Sequence, residues 1–285
     1  MAILVRENDA LSINPPPAAD NFLTTNGSNW LWAVTAIYLF TALVAFGHSF
    51  AARSGERFFH YLFIVANLVG TIAYFAAASD LGWSLVGESN SLSHGFTRQL
   101  FFVKYILWVV SFPVVAIALG VLSGVSWATI LYNVAVSWIW VVSYLVGAYV
   151  STNYKWGFFA FGTFAWLILA LSTLHFGRQA SVRVGVNRDY LLLAGWANLL
   201  WLLYPIAWGL SDGGNRIGVV ASWIFFGILD VLLVPGLTYA ILLLSRRWDY
   251  GRLNIAFTQY GRVATREGTF PEKTTAPAAA PAAAV

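Results

Sequence analysis

The chain has 285 residues, of which 59% are hydrophobic and only 10% are charged, and its mean hydropathy is +0.69. A soluble domain of this length carries about a quarter charged residues because its surface faces water, so the composition excludes an ordinary soluble protein and indicates a surface that faces lipid. The net charge of +4 includes no dense basic cluster, which argues against a nucleic-acid partner, and the absence of cysteine excludes disulfides and thiolate metal sites.

The amino-terminal segment, residues 1–27, is polar and contains Glu7, Asp20 and the run Pro15-Pro16-Pro17. It lacks the basic start, short apolar run and cleavage site of a secretory signal. We therefore expect a mobile tail outside the membrane, followed by a first helix that serves as its own targeting signal. Asn26 begins an N-glycosylation pattern, but its closeness to the first helix favours non-use.

Seven apolar stretches follow, each long enough to cross roughly 30 Å of hydrocarbon. No long polar insertion separates them, so the sequence predicts an all-α membrane protein with a single seven-helix bundle over residues 28–250. Residues 251–285 are rich in Ala and Pro, which predicts a disordered tail. The predicted spans are 28–50, 57–79, 98–122, 127–150, 155–177, 189–210 and 217–245.

The orientation follows from the positions of the basic residues, because short cytoplasmic loops are enriched in Lys and Arg. Basic residues collect after spans one, five and seven, which lie on one side of a seven-span protein. The other side is sparse in them. We therefore predict an outside amino terminus and a cytoplasmic carboxyl terminus. The basic residues are Arg53, Arg57, Arg178, Arg183, Arg188, Arg246, Arg247 and Arg252.

Two ionisable residues lie well inside predicted spans, where a charge is costly. Lys104 lies about six residues into span three and Asp230 about thirteen residues into span seven, which is a depth difference of about 10 Å at 1.5 Å per residue. A lysine side chain and a water could bridge that distance. The sequence predicts a direct or water-bridged pair, and a structural role in packing spans three and seven is favoured over transport.

Aromatic residues and prolines form a second pattern. Trp201, Tyr204 and Trp208 recur at i, i+3 and i+7 and so share one face of span six, which Pro205 is expected to kink. Trp108 lies five residues before a proline in span three. The residues alone are more typical of aromatic packing than of a ligand pocket.

The order and spacing of these features resemble the microbial (type I) rhodopsins, and the fungal branch most closely. The resemblance covers residues 28–250 and implies the seven-helix opsin fold. The stretches that carry it are GILDVLLVP at 227–235, WLLYPIAW at 201–208, IAYF at 72–75 with DLGW at 80–83, and YKWG at 154–157 with FG at 161–162.

The chain departs from this family at the residues that perform photochemistry. The resemblance places Val234 where a lysine forms the retinal Schiff base, and valine has no amine. Leu107 and Ala118 stand at the positions of the proton-acceptor and proton-donor carboxylates. Lys104 stands at a family arginine, and Tyr144 at a position that is often glycine against the retinal ring.

Other residues of the family pattern are retained. Tyr74, Tyr204 and Asp230 match the tyrosines and aspartate that hydrogen-bond beneath the chromophore. Trp108, Trp201 and Trp208 match the walls of the retinal pocket. The chain thus resembles fungal opsin-related proteins that lack the lysine, a group that includes heat-shock-induced plasma-membrane proteins. We expect no covalent retinal, and a buried network of Tyr74, Lys104, Tyr204 and Asp230.

Three functions stay open on this evidence. The first is a non-photochemical accessory or regulatory protein of the plasma membrane, associated with stress. The second is a sensor or carrier that binds a small apolar ligand, a retinoid or lipid, without a covalent bond, between Trp108, Trp201, Tyr204 and Trp208. The ring of Tyr144 argues against a ligand as large as retinal. The third, a light-driven ion pump or photosensor, has the least support because span three lacks carboxylates.

The sequence gives no indication of an enzyme or of a metal centre. It contains no nucleophile–base arrangement and no phosphate loop, and its histidines lie near span ends or in loops. The lipid bilayer is the one partner that the composition requires. A second copy of the chain and a plasma-membrane protein partner stay open.

Overall fold

The computed structural model describes residues 8–52, 57–250 and 253. In this part, seven helical segments are long and apolar enough to cross a membrane, which confirms the predicted seven-helix fold. A short helix, α1 (Ala10–Ile13), precedes them, and a hairpin of strands β1 (Trp83–Gly87) and β2 (Thr97–Phe101) lies between the second and third. The long helices are α2 (Thr25–Ala51), α3 (Phe58–Ala78), α4 (Val103–Ser123), α5 (Trp127–Tyr149), α6 (Lys155–Leu171) continued by α7 (Arg178–Val184), α8 (Asn187–Leu210) and α9 (Val219–Leu244).

The bundle buries α4 at its centre, and the helices around it expose apolar side chains outward. Phe40, Leu131 and Phe161 are each more than 60% exposed. In water such a surface would be a large hydrophobic patch, whereas hydrocarbon solvates it. The helices satisfy their own backbone groups, as spanning segments must in lipid.

The fifth span is longer than predicted. It runs from Lys155 to Val184 because a π-helical turn, Ser172–Gly177, joins α6 to α7 without a break. Arg178 and Arg183 therefore lie on a helix instead of in a loop. The span ends at Gly185, whose φ of +86° is a left-handed conformation that glycine adopts readily.

The third span is shorter than predicted, because residues 98–101 belong to the hairpin and α4 begins at Val103. The two strands are antiparallel, with Trp83 opposite Phe101. The side chain of Gln99 in β2 donates to Asp80 Oδ1 at 2.6 Å, and its amide oxygen accepts from the backbone of Leu23 at 2.8 Å. These contacts hold the segment in an extended form. We call this end of the bundle the hairpin end and the other the opposite end.

The described part of the amino-terminal segment is packed, which corrects the expectation of a mobile tail over residues 1–27. Asn21 pairs with Arg98 of β2 in a parallel bridge, and the side chain of Leu23 is fully buried. Asp20 accepts hydrogen bonds from the Thr97 hydroxyl and from the backbone amides of Phe96 and Thr97, which hold the pKa of this exposed carboxylate below its ordinary range. Residues 1–7 and, apart from Leu253, the predicted tail 251–285 lie outside the described residues.

Tryptophan indoles join neighbouring helices through backbone carbonyls. Pro113 has no N–H to donate within α4, so the carbonyl of Val109 one turn earlier loses its usual partner. The indole of Trp138 in α5 donates to that carbonyl at 3.0 Å. Trp196 in α8 likewise donates to Leu232 O of α9 at 3.0 Å. Hydrocarbon cannot form hydrogen bonds with these indole and carbonyl groups, so the bonds between helices satisfy them.

Helices α2 and α3 approach closely at Gly70, which gives a test of their packing. A Cβ at this position would lie 2.2 Å from the ring of Tyr38. We expect Gly70→Ala to destabilise the protein by about 1–3 kcal/mol through overpacking, measured as a fall in the thermal unfolding temperature in detergent. The matched control is Gly47→Ala, where a Cβ has nothing within 4 Å. Equal stability of the two variants would contradict this packing.

Candidate functional site

A single carboxylate joins three other helices near the middle of the bundle. Asp230 of α9 is 1% exposed. Its Oδ2 accepts from the hydroxyl of Tyr74 in α3 at 2.6 Å, and its Oδ1 accepts from the hydroxyl of Tyr204 in α8 at 2.6 Å and the indole of Trp108 in α4 at 3.0 Å. Three donors give this buried carboxylate the hydrogen bonds that burial would otherwise remove. We call Asp230 and its donors the aspartate cluster.

Helix α2 joins the aspartate cluster through Tyr38, which the sequence analysis missed. The Tyr38 hydroxyl donates to the backbone oxygen of Asp230 at 2.9 Å, and its ring stacks on Tyr74 with centroids 5.4 Å apart. Nothing in the sequence distinguishes the buried Tyr38 from aromatic residues that face lipid. Only the packing of α2 against α3 and α9 reveals it.

The predicted pair between Lys104 and Asp230 is wrong. Lys104 instead forms an ion pair with Asp212, which lies in the connection between α8 and α9. The reason is the later start of α4, which puts Lys104 in its first turn, at the hairpin end, where this connection folds over the bundle. Lys104 therefore belongs to a second cluster, and Asp212 is a site residue that the span-centred analysis missed.

Asp212 is the centre of this second cluster. The Tyr105 hydroxyl donates to it at 2.7 Å, and Arg98 Nε lies 3.5 Å from its other oxygen. Trp208, one of the predicted wall residues, donates in turn to the Tyr105 hydroxyl at 2.9 Å. Burial alone would raise the pKa of Asp212, but the charges of Lys104 and Arg98 outweigh it and hold the pKa below its ordinary range.

Lys155 and Glu88 extend this group, and we call the whole the ionic cluster. Lys155 Nζ lies 3.0 Å from Glu88 Oε2 and 3.3 Å from the backbone oxygen of Asp212. Burial raises the pKa of Glu88 despite the attraction of Lys155. The cluster contains three cations and two carboxylates, all almost fully buried. The formal charge of the ionic cluster is therefore +1 when all five groups are ionised.

Aromatic rings connect the two clusters. Lys104 Nζ lies 4.8 Å from the ring centroid of Phe226, which is cation–π distance. Phe226 packs on Trp108 at 4.9 Å, and Trp108 donates to Asp230. Phe226 and Trp108 therefore form a continuous chain of contacts between the two clusters.

The residues that the resemblance assigns to photochemical positions are buried apolar side chains. Val234 lies one helical turn after Asp230 and is 1% exposed, and Leu107 and Ala118 are also buried. Within the described residues, the lysines are Lys104 and Lys155, and both lie in the ionic cluster. Lys104 lies on α4 and Lys155 on α6, so neither amine comes from α9, the helix that carries Val234.

The predicted aromatic walls are packed against other rings. Phe112, which the sequence analysis did not select, has its ring centroid 4.8 Å from that of Trp140, 5.0 Å from Tyr204 and 5.9 Å from Trp201. Tyr144 lies 5.0 Å from Trp208. These separations are those of aromatic pairs in contact, so Phe112 and Trp140 occupy space between the predicted walls.

No metal centre is formed in the described part of the chain, where no three His, Asp or Glu side chains are grouped to hold an ion. Two histidines do meet at the opposite end. His48 Nδ1 lies 2.8 Å from His60 Nε2, and Arg246 donates to His48 Nε2 at 3.2 Å.

Comparison with known proteins identifies the frame on which these clusters lie. Residues 25–249 match the family model described as bacteriorhodopsin-like protein. The chain is 34% identical to the opsin-like protein carO of Fusarium fujikuroi over 89% of this chain and 86% of that protein. It is 32% identical to the 30 kDa heat shock protein of Saccharomyces cerevisiae, over 90% and 83%.

Solved structures agree with this frame. The light-driven proton pump rhodopsin of Coccomyxa subellipsoidea superposes with a TM-score of 0.75 at 25% identity, covering 78% of this chain and 98% of that one. The likeness extends over the bundle that holds the aspartate and ionic clusters.

The ionic cluster predicts a large effect of one substitution. Asp212→Asn leaves Lys104 and Arg98 as buried cations without their carboxylate, and we expect a loss of about 3–5 kcal/mol in unfolding free energy. Asp230→Asn should lose less, about 1–3 kcal/mol, because an amide can still accept from Trp108 or Tyr204. Reversible unfolding in mixed detergent measures both. A larger loss for Asp230→Asn would contradict the assignment of Lys104 to Asp212.

Acid should reveal the same ion pairs. The pKa of Asp212 in the folded protein lies below its ordinary value of 3.8. Its stabilising contribution is therefore fully present above about pH 4 and is lost as the pH falls through the folded pKa. We expect Asp212→Asn to flatten this part of the stability profile between pH 5 and 2, roughly, relative to wild type. Parallel stability profiles for wild type and Asp212→Asn would contradict the ion pairing of Asp212.

Proposed function

The chain belongs to the bacteriorhodopsin-like protein family, and we propose that it is a member without photochemistry. In this proposal it is an integral protein of the plasma membrane that acts as a stress-associated accessory or regulator. The observation that best supports this proposal is Val234, a buried aliphatic residue one turn after Asp230. A Schiff base requires an amine at the site, and valine supplies none.

The two lysines of the described residues are both held in ion pairs, which supports this proposal. The ε-amine of Lys104 is an ion-pair partner of Asp212, and that of Lys155 is a partner of Glu88. An ammonium held in an ion pair has no lone pair with which to attack an aldehyde. Retinal that reached either lysine would also have to displace a buried carboxylate contact.

The aromatic core supports the same conclusion. A covalently bound polyene needs an elongated cavity, whereas Phe112 and Trp140 contact the rings of Trp201 and Tyr204 within that region. The residues present therefore do not fit the family's retinal group. The same contacts disfavour a non-covalent apolar ligand between Trp108, Trp201 and Trp208, and mutual packing accounts for these rings.

The regulatory part of the proposal rests on what the chain retains. Its two buried clusters tie α2, α3, α4, α8 and α9 and the hairpin into one frame. A rigid frame of this kind suits a protein that acts by contact with other membrane components. One relative is named a heat shock protein, which supports an association with stress.

Retinal reconstitution tests the absence of photochemistry. We expect purified protein mixed with all-trans retinal to show no visible band that survives acid denaturation, because no amine lies at residue 234. The Coccomyxa proton pump, treated in the same way, is the positive control. An acid-stable retinal adduct on any residue of this chain would refute the proposal.

The stress-associated role has its own test. We expect the abundance of the protein at the plasma membrane to rise after heat shock of the source cells, measured by immunoblot of isolated membranes. A growth defect of cells that lack the chain, under the same stress, should be rescued equally in light and in complete darkness. Rescue that depends on light would show the proposed role to be wrong. So would a protein abundance and a growth rate that do not change with stress.

A further inference from the structure

A groove of about 730 Å³ lies at the opposite end of the bundle. It is bounded by the turn between α4 and α5, by the start of α5 and by the helical segment from α6 to α7. Ile168, Leu171 and Phe176 supply much of its apolar lining, and Leu171 and Phe176 are 64% and 58% exposed. An exposed apolar groove on a membrane span faces lipid chains.

The π-helical turn shapes this groove. Ile168, Ser172, Phe176 and Ala180 all line it, and they recur at every fourth residue. A regular α-helix of 3.6 residues per turn would rotate the later residues of this series off the shared face, but a π-helical turn contains an extra residue and keeps them in line. The groove therefore continues along the helix to Arg183.

Tyr190 of α8 contacts this turn from inside the bundle. Its hydroxyl donates to the backbone oxygen of Thr173 at 2.6 Å. A Cβ on Gly177 would lie 1.9 Å from the same hydroxyl. The widened turn is thus matched to α8, and the groove is a feature of the packed bundle.

The rim of the groove is cationic at one end. Arg183 lies in the last turn of α7, and across the described residues it has no ion pair or hydrogen bond. The facing wall is the amino terminus of α5, where Ser126 caps the helix and accepts from Thr129 N at 3.2 Å. A helix amino terminus and a guanidinium both favour a phosphate group, and no carboxylate is among the described lining residues.

The dimensions match one lipid molecule. Arg183 is fifteen residues from Ile168, which is about 22 Å along the helix at 1.5 Å per residue. Half of the hydrocarbon core is roughly 15 Å thick, so the groove extends from the headgroup level into the acyl-chain region. We propose that it binds one anionic phospholipid, with the phosphate between Arg183 and the start of α5 and an acyl chain along Phe176 and Ile168.

Native mass spectrometry of the full chain in mild detergent tests this site. With phosphatidylserine or phosphatidylcholine added, we expect wild type to retain one lipid per chain and to prefer phosphatidylserine. Arg183→Gln should weaken phosphatidylserine binding about fivefold, because one basic residue near the surface contributes about 1 kcal/mol. Ala128→Leu, which adds bulk to the lining without changing charge, should abolish retention of both lipids.

The matched control is Arg178→Gln, an exposed arginine on the same helix that does not line the groove. It should bind like wild type, and all variants should keep the wild-type melting temperature in lipid-free detergent. Equal losses in Arg178→Gln and Arg183→Gln would reduce the effect to diffuse surface charge and overturn the proposal. Saturation by inorganic phosphate without lipid retention would overturn it as well. A third result would also overturn the proposal: a wild-type dimer that Ala128→Leu converts to a monomer while lipid binding stays intact. That result would identify the groove as a contact between two copies.

Discussion

A carboxylate in a membrane bundle is held there by its donors. Asp230 lies on α9 with no bulk water to solvate it, and hydroxyl and indole groups from α3, α4 and α8 supply the hydrogen bonds instead. Each of those helices must lie at one distance and one rotation for its donor to reach. The positions of Tyr38, Phe112 and Trp140 follow from that arrangement, since they pack on the donors.

At the hairpin end, the carboxylates of the ionic cluster are stabilised mainly by buried cations instead of neutral donors. Lys104, Arg98 and Lys155 come from two helices and a strand, and Asp212 and Glu88 come from two connections. Connections that would otherwise be free are thereby fixed to the bundle. This accounts for the packed amino-terminal segment, because Asn21 and Leu23 dock on the strand that carries Arg98 and Gln99.

In the proposed function, no Schiff base forms beside Asp230, because Val234 has no amine. Here Val234 leaves Asp230 to its neutral donors, and aromatic rings, Phe226 and Trp108 among them, lie between it and Lys104. The carboxylate then holds helices together. The groove beside the π-helical turn is the surface that we propose is accessible to a ligand.

The sequence by itself determined the membrane class, the seven spans and the absence of an amine at residue 234, because hydrophobic length and side-chain identity are local properties. It also placed Tyr74 and Tyr204 with Asp230 through the family's spacing, but it assigned Trp108 to a pocket wall, and only the structure shows its bond to Asp230. It could not place the partner of Lys104, since Asp212 lies 108 positions away in a connection, and only the tertiary fold brings that connection over the start of α4. The hairpin, the π-helical turn and the role of Phe112 were likewise decided by tertiary structure, because each depends on side chains of another element satisfying a backbone group or filling a space.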